Sequence, residues 1–491
     1  MPQQHLDRLS AIDAGFLHQE SASTHMHIGA VAIFEGPAPS HAEFLEHIRA
    51  RLSLVPRYRQ KLAAAPLGLG RQRWVDDPNF NLEYHVRRSA LPAPGDEERL
   101  RQLAARVFSQ ALDRTKPLWE MWVVEGLSDG RFALISKTHH ALVDGISGID
   151  LMTTLFDVTK VPRTVEGDPW VPRPVPTPAE LTAASLLGAV GAVVTLPLRT
   201  AGALAHPHEV ADELAERVEG VSGIARTLVL APAPKSPLNV PIGPHRRIAF
   251  VPARLEDMKA VKNALGGTVN DVVLAVVAGA LRRLYEFRGD PTDGVTLQVQ
   301  VPVSTRRHEE RGSFGNRITQ VVAPLPIGVA DPVERLRIVR EAMQDVKESK
   351  QALGAASIAD MQDFAPPTIL AQASRLNFNH RLFNLLVTNV PGPQLPLYAL
   401  GRELLSAFPI AFLAGDRALA VAIMSYHGGM NFGLLGDYDA LPDIDVVAAG
   451  LEDALAELLT IARAAGPPSE LANRRSGNGT RRARRDVPAT G

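Results

Sequence analysis

Apolar residues recur with two different periods along this chain, and together these periods predict alternating strands and helices. The segment HIGAVAIFEG, which starts at His27, is an apolar run of strand length. The next segment, SHAEFLEHIRARLSLV, has helical spacing and starts at Ser40, a favoured helix N-cap residue. A second helical segment, DEERLRQLAARVFSQAL, has an acidic first turn, which suits a helix N-terminus. RQRWVDDPNFNLEYHVRRSAL, which lies between them, predicts extended chain.

Two longer apolar runs follow, WEMWVVEGL and RFALISKTHH, and the turn SDGR separates them. Runs of this length around a short polar turn predict a hairpin of adjacent strands. The second run ends in His139 and His140, and the sequence after Gly145, ISGIDLMTTLFDV, predicts a helix.

The pattern breaks in the segment VPRTVEGDPWVPRPVPTPAE, which contains six prolines. Neither a helix interior nor a central strand accommodates so many prolines, so we predict an extended crossover followed by Ala-rich helical sequence. Strand and helix patterns resume at Arg246 and continue to about residue 465. The sequence thus predicts an α/β fold with a duplicated layout. Its predicted parts are a first half (1–160), a crossover and linker (161–245), a second half (246–465) and a tail (466–491).

Composition restricts the chemistry that this chain can perform. Its 491 residues include no cysteine, which excludes disulfides, thiolate metal sites and thiol catalysis. The formal net charge is -1, so no global positive field attracts nucleic acid, and we expect no nucleic-acid partner. Hydrophobic residues are 45% and charged residues 21%, as in a globular protein of more than one domain.

Two segments are candidates for contact with a membrane. Leu181–Leu198 carries no charge, but it is rich in Ala, Gly and Thr and contains Pro197, which favours a buried or interfacial helix over a membrane span. The tail has six arginines and few apolar residues, which predicts disorder with the arginines either solvated or near anionic lipid headgroups. The N-terminus lacks the pattern of a secretion signal. We therefore predict a cytoplasmic protein that touches a membrane or lipid droplet peripherally.

One pair among the fifteen histidines stands in a setting that suggests chemistry. An apolar strand delivers His139 and His140 to its end, and Asp144 and Gly145 follow in a turn. Neighbours on a strand point to opposite faces, so we expect one histidine to face a reaction channel and the other to pack inside. A neutral imidazole in such a channel can take the proton of an attacking alcohol.

Three other interpretations of the pair remain open from the residues alone. Both histidines could be structural and hydrogen-bonded. His139, His140 and Asp144 could bind a metal, although adjacent histidines on a strand diverge and no HExxH motif is present. A Ser–His–Asp hydrolase is the third, but the chain has no GxSxG motif to supply the serine.

The segment HHALVDG fits the HHxxxDG motif of coenzyme A-dependent acyltransferases, which peptide-synthesis condensation domains share. Within that superfamily the chain resembles the bacterial wax ester synthase/diacylglycerol acyltransferase family over about residues 6 to 465. The further segments that carry the resemblance are LSAIDAGFLHQE, THMHIGAVAIFEG, PLWEMWVVEGL, GGTVNDVVLAVVAGALRRL, VPVSTR, TNVPGP and SYHGGMNFGLLGD. The resemblance implies two chloramphenicol acetyltransferase-like domains with mixed sheets flanked by helices, joined by the Pro-rich crossover and with a channel at their junction.

The resemblance also implies an activity and roles for residues. His140 matches the family's catalytic base, and His139, Asp144 and Gly145 complete the motif. Further candidate residues are Asn270 as an oxyanion donor or helix cap, Asp271 beside it, Arg306 as a partner for Asp144, and Pro117 and Trp119 as a wall of the site. The implied reaction moves a fatty acyl group from acyl-CoA, a co-substrate, to diacylglycerol or a long-chain alcohol, with no metal and no permanently bound cofactor. A carrier-protein-dependent condensation enzyme and a non-catalytic lipid-binding relative are the alternatives.

Overall fold

A computed structural model describes residues 6–66, 71–142, 152, 154–165, 170–185, 233–304, 318–348 and 382–465. The fold is mixed α/β, as the sequence pattern predicted. The strands are β1 (His27–Phe34), β2 (Gln60–Ala63), β3 (Arg73–Asp76), β4 (Val86–Ala90), β5 (Trp119–Glu125), β6 (Phe132–His139), β7 (Arg246–Arg254), β8 (Leu297–Ser304), β9 (Ile318–Leu325), β10 (Leu385–Pro391), β11 (Tyr398–Ala399), β12 (Arg402–Ile410), β13 (Leu419–Tyr426) and β14 (Gly429–Asp437). The helices are α1 (Ala11–Gln19), α2 (His41–Arg51), α3 (Leu82–His85), α4 (Glu97–Phe108), α5 (Leu255–Leu265), α6 (Val269–Arg288), α7 (Pro332–Glu348) and α8 (Ile444–Ala465).

The first sheet has the strand order β11-β12-β1-β6-β5-β4. Strands β5 and β6 run antiparallel, which confirms the hairpin predicted around SDGR. Strand β1 lies antiparallel to β6, with His27 opposite His139 at the end of the pair. Because β1 and β6 are central in the sheet, the strand end that carries the histidines is supported on both sides.

The first sheet also contains two strands from the second half of the chain. Strand β12 pairs antiparallel with β1, with Gly29 opposite Ile410, and β11 pairs with β12 at the sheet edge. The hydrophobic pattern gave no sign of this exchange, because it reports local structure and not strand partners. Through this exchange, strands of the second half are hydrogen-bonded into the sheet that carries His139 and His140.

The second sheet has the order β7-β14-β13-β10-β8-β9 and packs against α6, α7 and α8. Helix α6 is almost wholly apolar along its buried face, from Val272 to Leu284. It begins at Thr268, whose side chain accepts from the Asp271 backbone N–H while the Asp271 carboxylate accepts from the Thr268 N–H. This capping box satisfies two backbone donors at the helix start and fixes where the helix begins.

The two halves share an apolar cluster between the sheets. Phe250 of β7 stacks on Phe408 of β12 at 4.6 Å between ring centroids. At the edge of that contact Arg101 of α4 donates to the Ile248 carbonyl at 2.8 Å and pairs with Asp445 of α8. Residues from both halves therefore bury one continuous surface beside the end of β6.

Within the described ranges no single helix has the length and apolar character needed to cross a membrane. Helices α5 and α6 meet those two criteria only as a pair, and their axes bend by 99° at the break between them. The predicted interfacial segment Leu181–Leu198 extends past residue 185, and the basic tail follows residue 465, so both candidates lie mainly outside the described residues.

Candidate active site

The last residues of β6 are held by backbone hydrogen bonds on both sides. The His139 N–H donates to the Leu118 carbonyl at 2.9 Å, and the His140 N–H donates to the Met26 carbonyl at 2.8 Å. The strand then turns into a 3-10 turn, His140–Leu142. Held in this way, His139 is completely buried while His140 is only half-buried.

The buried histidine, His139, has its proton position fixed by a neighbouring backbone group. Its Nδ1 accepts from the Ala141 N–H at 3.1 Å. A backbone N–H can only donate, so Nδ1 must be unprotonated and the proton of the neutral ring lies on Nε2. Burial, and then the charges of His140 and Arg114, lower the pKa of His139 to about 3. The ring is therefore neutral at physiological pH.

The ring of His140 lies between two phenylalanines. It stacks on Phe16 of α1 at 3.9 Å between centroids, and the edge-on ring of Phe412, which follows β12, lies at 5.7 Å. The Nδ1 atom is buried and has no hydrogen-bond partner among the described residues. Burial lowers the pKa of His140 to about 4, because an apolar surrounding penalises the charged imidazolium. The neutral ring is thus available to accept a proton, and both halves of the chain supply its neighbours.

Pro117 and Trp119 lie beside the end of β6, as a wall of the site would require. Both residues are buried. The Trp119 indole N–H donates to the Tyr58 carbonyl at 2.8 Å, and its ring stacks on His85 at 4.7 Å. These contacts hold the tryptophan in the core of the first half, and its part in shaping the site stays a prediction.

Asn270 and Asp271 lie in the first turn of α6. Asp271 belongs to the capping box and Thr268 is the N-cap, so Asn270 itself is not the helix cap. The Asn270 Oδ1 instead accepts from the Asn389 side chain of β10 at 3.5 Å. Among the described residues the structure gives no hydrogen bond or ring contact between Asn270 and His140.

Asp144, Gly145 and Arg306 lie outside the described residues. The pairing of Asp144 with Arg306 therefore stays a prediction. Among the residues that are described, no group of three or more histidine, aspartate or glutamate side chains is placed to hold a metal ion.

Several residues around the two histidines were not identified from the sequence. Phe16 and Phe412 contact the His140 ring, and Glu20, His27 and Arg114 lie around His139. Some of them fall in LSAIDAGFLHQE and THMHIG, segments that carried the family resemblance but received no role. His27 lies near His139 because β1 pairs with β6, and Glu20 lies near it because of how α1 packs, neither of which the one-dimensional pattern gives.

The arrangement suits proton transfer in a water-poor place. A neutral imidazole is fixed by the backbone at a strand end, its ring is enclosed by two aromatic side chains, and one nitrogen is left unpaired by the residues that the structure describes. Such a group can take a proton from a substrate hydroxyl and return it to a leaving group.

Comparison with known proteins identifies relatives over nearly the whole chain. The catalytic domain of the wax ester synthase/diacylglycerol acyltransferase family matches residues 9–273, and the C-terminal domain of the same family matches residues 314–459. A probable diacylglycerol O-acyltransferase of Mycobacterium tuberculosis is 35% identical over 93% of this chain and 97% of its own length. A second one from that organism is 34% identical over 92% of this chain and 99% of its own length.

Solved structures give the same picture. The wax ester synthase/diacylglycerol acyltransferase from Marinobacter aquaeolei VT8 aligns with a TM-score of 0.64 at 28% identity, covering 93% of this chain and all of that one. The first condensation domain of the CDA synthetase aligns with a TM-score of 0.56 at 15% identity, covering 96% and 98% of the two chains. At that identity the condensation domain shows a shared fold and nothing more. The predicted fold class, two acetyltransferase-like halves with mixed sheets flanked by helices, is confirmed.

Proposed function

This chain belongs to the wax ester synthase/diacylglycerol acyltransferase family, and from that premise we propose that it is a diacylglycerol O-acyltransferase. It moves a long-chain fatty acyl group from acyl-CoA to the free hydroxyl of diacylglycerol, giving triacylglycerol. Long-chain alcohols are its second class of acceptor and give wax esters. The names of the curated relatives support the first acceptor, and the name of the Marinobacter protein includes both.

The observation that carries this proposal is the His140 ring. It is neutral, enclosed by Phe16 and Phe412, and its Nδ1 has no partner within the described ranges. A neutral alcohol is too weak a nucleophile to attack a thioester unless a base removes its proton during the attack. His140 is the base that we propose for this step.

The proposed reaction has one tetrahedral intermediate. His140 accepts the hydroxyl proton while the acceptor oxygen forms a bond to the thioester carbonyl carbon. The carbon–sulfur bond then breaks, and the imidazolium returns the proton to the coenzyme A sulfur. No acyl-enzyme forms, and the absence of cysteine excludes a thiol-linked one.

The tetrahedral oxyanion requires a hydrogen-bond donor. We propose the Asn270 side chain for this role, or for positioning the acyl group, because its Oδ1 is held by Asn389 and its amide N–H group makes no hydrogen bond with the described residues. Asp144, supported by Arg306, would hold the turn after the histidines, with Gly145 permitting that turn.

Acyl-CoA is the proposed co-substrate, and the lipid acceptor would be delivered from a membrane or lipid droplet on the cytoplasmic side. Leu181–Leu198 and the arginine-rich tail after residue 465 are the segments that we propose for peripheral contact. Vesicle flotation with and without the tail would test this localisation: full-length protein should float with anionic vesicles, and equal binding by the truncated chain would remove the tail from the proposal.

The activity is tested with purified protein, palmitoyl-CoA and either diolein or hexadecanol, following the release of coenzyme A thiol. We expect diolein to raise thiol release well above the rate without acceptor, and triacylglycerol to appear in equal amount. If neither acceptor raised the rate, the proposed substrate class would be refuted.

A further inference from the structure

One helix end contacts both histidines of the motif. Helix α1 places Phe16 against the His140 ring, and the next turn ends at Glu20, whose backbone N–H donates to the Phe16 carbonyl at 3.2 Å. The Glu20 side chain extends from this point toward His139. The position of the helix end is therefore coupled to the positions of both imidazoles.

Glu20 is an unusual side chain for a protein interior. Its side chain is 8% exposed, and both carboxyl oxygens are buried with no hydrogen-bond partner in the part of the chain that the structure describes. Three nitrogens surround it: His139 Nε2 at 3.8 Å, His27 Nε2 at 3.7 Å and Arg114 Nη1 at 3.6 Å. Burying a carboxyl group without hydrogen bonds is costly, which packing alone does not explain.

The proton positions around Glu20 identify its partner. His139 carries its proton on Nε2, because Nδ1 accepts from the Ala141 N–H, and that Nε2 has no acceptor. His27 cannot supply a proton, since its Nε2 accepts from the Leu112 N–H at 3.4 Å. Arg114 is half-exposed and can be neutralised by solvent. Among the described residues, the buried donor that faces the Glu20 carboxyl group is thus the Nε2–H of His139.

We propose that Glu20 is a positioning residue whose carboxyl group accepts the Nε2–H of His139, so that His139 acts as a strut between the end of α1 and the His140–Leu142 turn. Both ends of the strut require the same tautomer, with the lone pair on Nδ1 and the proton on Nε2. The His139 ring then accepts the hydrogen bond from the Ala141 N–H. That hydrogen bond fixes the backbone that orients the His140 side chain.

Two further observations are compatible with the strut. Burial raises the pKa of Glu20 against the opposing charge of Arg114, and an oxygen of either protonation state can accept from His139. The His139–Glu20 separation is longer than the roughly 2.7–3.2 Å of a formed hydrogen bond, and hydrogen bonds in active sites commonly shorten when substrate binds.

The inference rests on the proposed function, and paired substitutions test it. Glu20→Gln keeps an oxygen acceptor. Glu20→Leu gives a side chain of nearly the same shape that has no hydrogen-bond acceptor. We expect Glu20→Leu to lower kcat about 10- to 100-fold with little change in KM, because the base is misaligned and substrate binding is not. Glu20→Gln should retain kcat within about threefold.

Glu120 of β5 offers a matched control. Its side chain is 6% exposed, and its carboxylate faces Lys137 and Arg87 rather than a histidine. The same two substitutions at Glu120 should lower thermal stability but leave kcat per folded molecule near the wild-type value. A fall in kcat at Glu120 as large as that at Glu20 would overturn the proposal, as would equal losses for Glu20→Gln and Glu20→Leu.

Imidazole ¹⁵N spectra test the strut without reference to activity. Wild-type His139 should show an unprotonated Nδ1 and a protonated Nε2 between pH 5 and 8, as should Glu20→Gln, while Glu20→Leu should shift the Nε2 resonance. A protonated Nδ1 in the wild type would overturn the strut even if Glu20→Leu does not fold. If the wild type transfers no acyl group, the proposed function fails, but the spectra still decide the strut.

Discussion

The two halves of the molecule, as far as the structure describes them, differ in their buried histidines. Within the described ranges, the histidines that are buried all belong to the first half: His25, His27, His47, His85 and His139. The second half buries arginine and asparagine side chains that donate hydrogen bonds to backbone carbonyls. Arg417, for example, donates to the Phe383 and Ala414 carbonyls, and Asn384 donates to the Pro234 carbonyl.

This difference indicates that the first half carries the reacting groups and that the second half supports them. Near the end of β6, ring nitrogens of His27, His139 and His140 are buried without partners among the described residues. In the second half, helix α6 and its neighbours form a continuous apolar core instead. Unpartnered buried nitrogens reduce stability, so three histidine nitrogens of this kind at one strand end indicate that this region is arranged for reaction and not for rigidity.

The largest expected effect is at His140 itself. His140→Ala removes the proposed base, and we expect kcat to fall by about 10²- to 10⁴-fold while the chain stays folded. His245→Ala is a matched control, because His245 is an exposed histidine at the end of the linker, just before the second half, and it should retain full activity. Steady-state thiol release with palmitoyl-CoA and diolein measures both. Wild-type turnover by the His140 variant would remove this residue from the mechanism.

The next effect would show whether the second half takes part in the chemistry. If the Asn270 amide stabilises the oxyanion, Asn270→Ala should lower kcat by about 10²-fold. Asp271→Ala breaks the capping box beside it and should cost about 1 kcal/mol of stability with little change in kcat per folded molecule. Equal kcat for wild type and Asn270→Ala would confine the chemistry to the first half.

A smaller effect on activity is expected from the core of the second half. Leu281 of α6 is completely buried, so Leu281→Ala should lower the free energy of unfolding by about 2–5 kcal/mol. Activity per folded molecule should stay near the wild-type value at temperatures below the transition. Calorimetry and the same thiol assay separate the two quantities. A loss of kcat without a loss of stability would contradict the division between the halves.

Local features of the fold were predictable from the sequence. The β5–β6 hairpin follows from two apolar runs around SDGR, and the capping box of α6 is a short-range pattern that begins at Thr268. The short helix α3 was missed in a stretch predicted as extended, because the Asn81 side chain caps only a single turn there.

Partnerships between distant segments were not predictable. The pairing of β12 with β1 joins residues almost 400 positions apart, and it places Phe412 beside His140. The contact of Glu20 with His139 depends on how α1 packs against the strand end. The sequence could identify the histidine pair through its motif, but the surroundings that lower the pKa of each ring arise only when the chain is folded.

Because of those surroundings, the stability of the folded chain should depend on pH in the acid range. A histidine whose pKa is lowered on folding binds fewer protons in the folded chain than in the unfolded chain. Between pH 6.5 and about 4, stability should therefore decrease as the pH falls, by about 1.4 kcal/mol per pH unit for each such group. Rates at low pH are best taken immediately after a pH jump, while circular dichroism shows that the chain is still folded.

The pH dependence of kcat/KM for acyl transfer to diolein tests the role of His140 most directly, since this ratio reports the base in the free enzyme. A base with a pKa of about 4 is neutral, and active, at every higher pH. We predict that kcat/KM stays constant from pH 8 to about 5 and falls to half near pH 4. A half-maximal value at pH 6.5 or above, in folded protein, would contradict the account of a neutral His140 between two phenylalanines as the base.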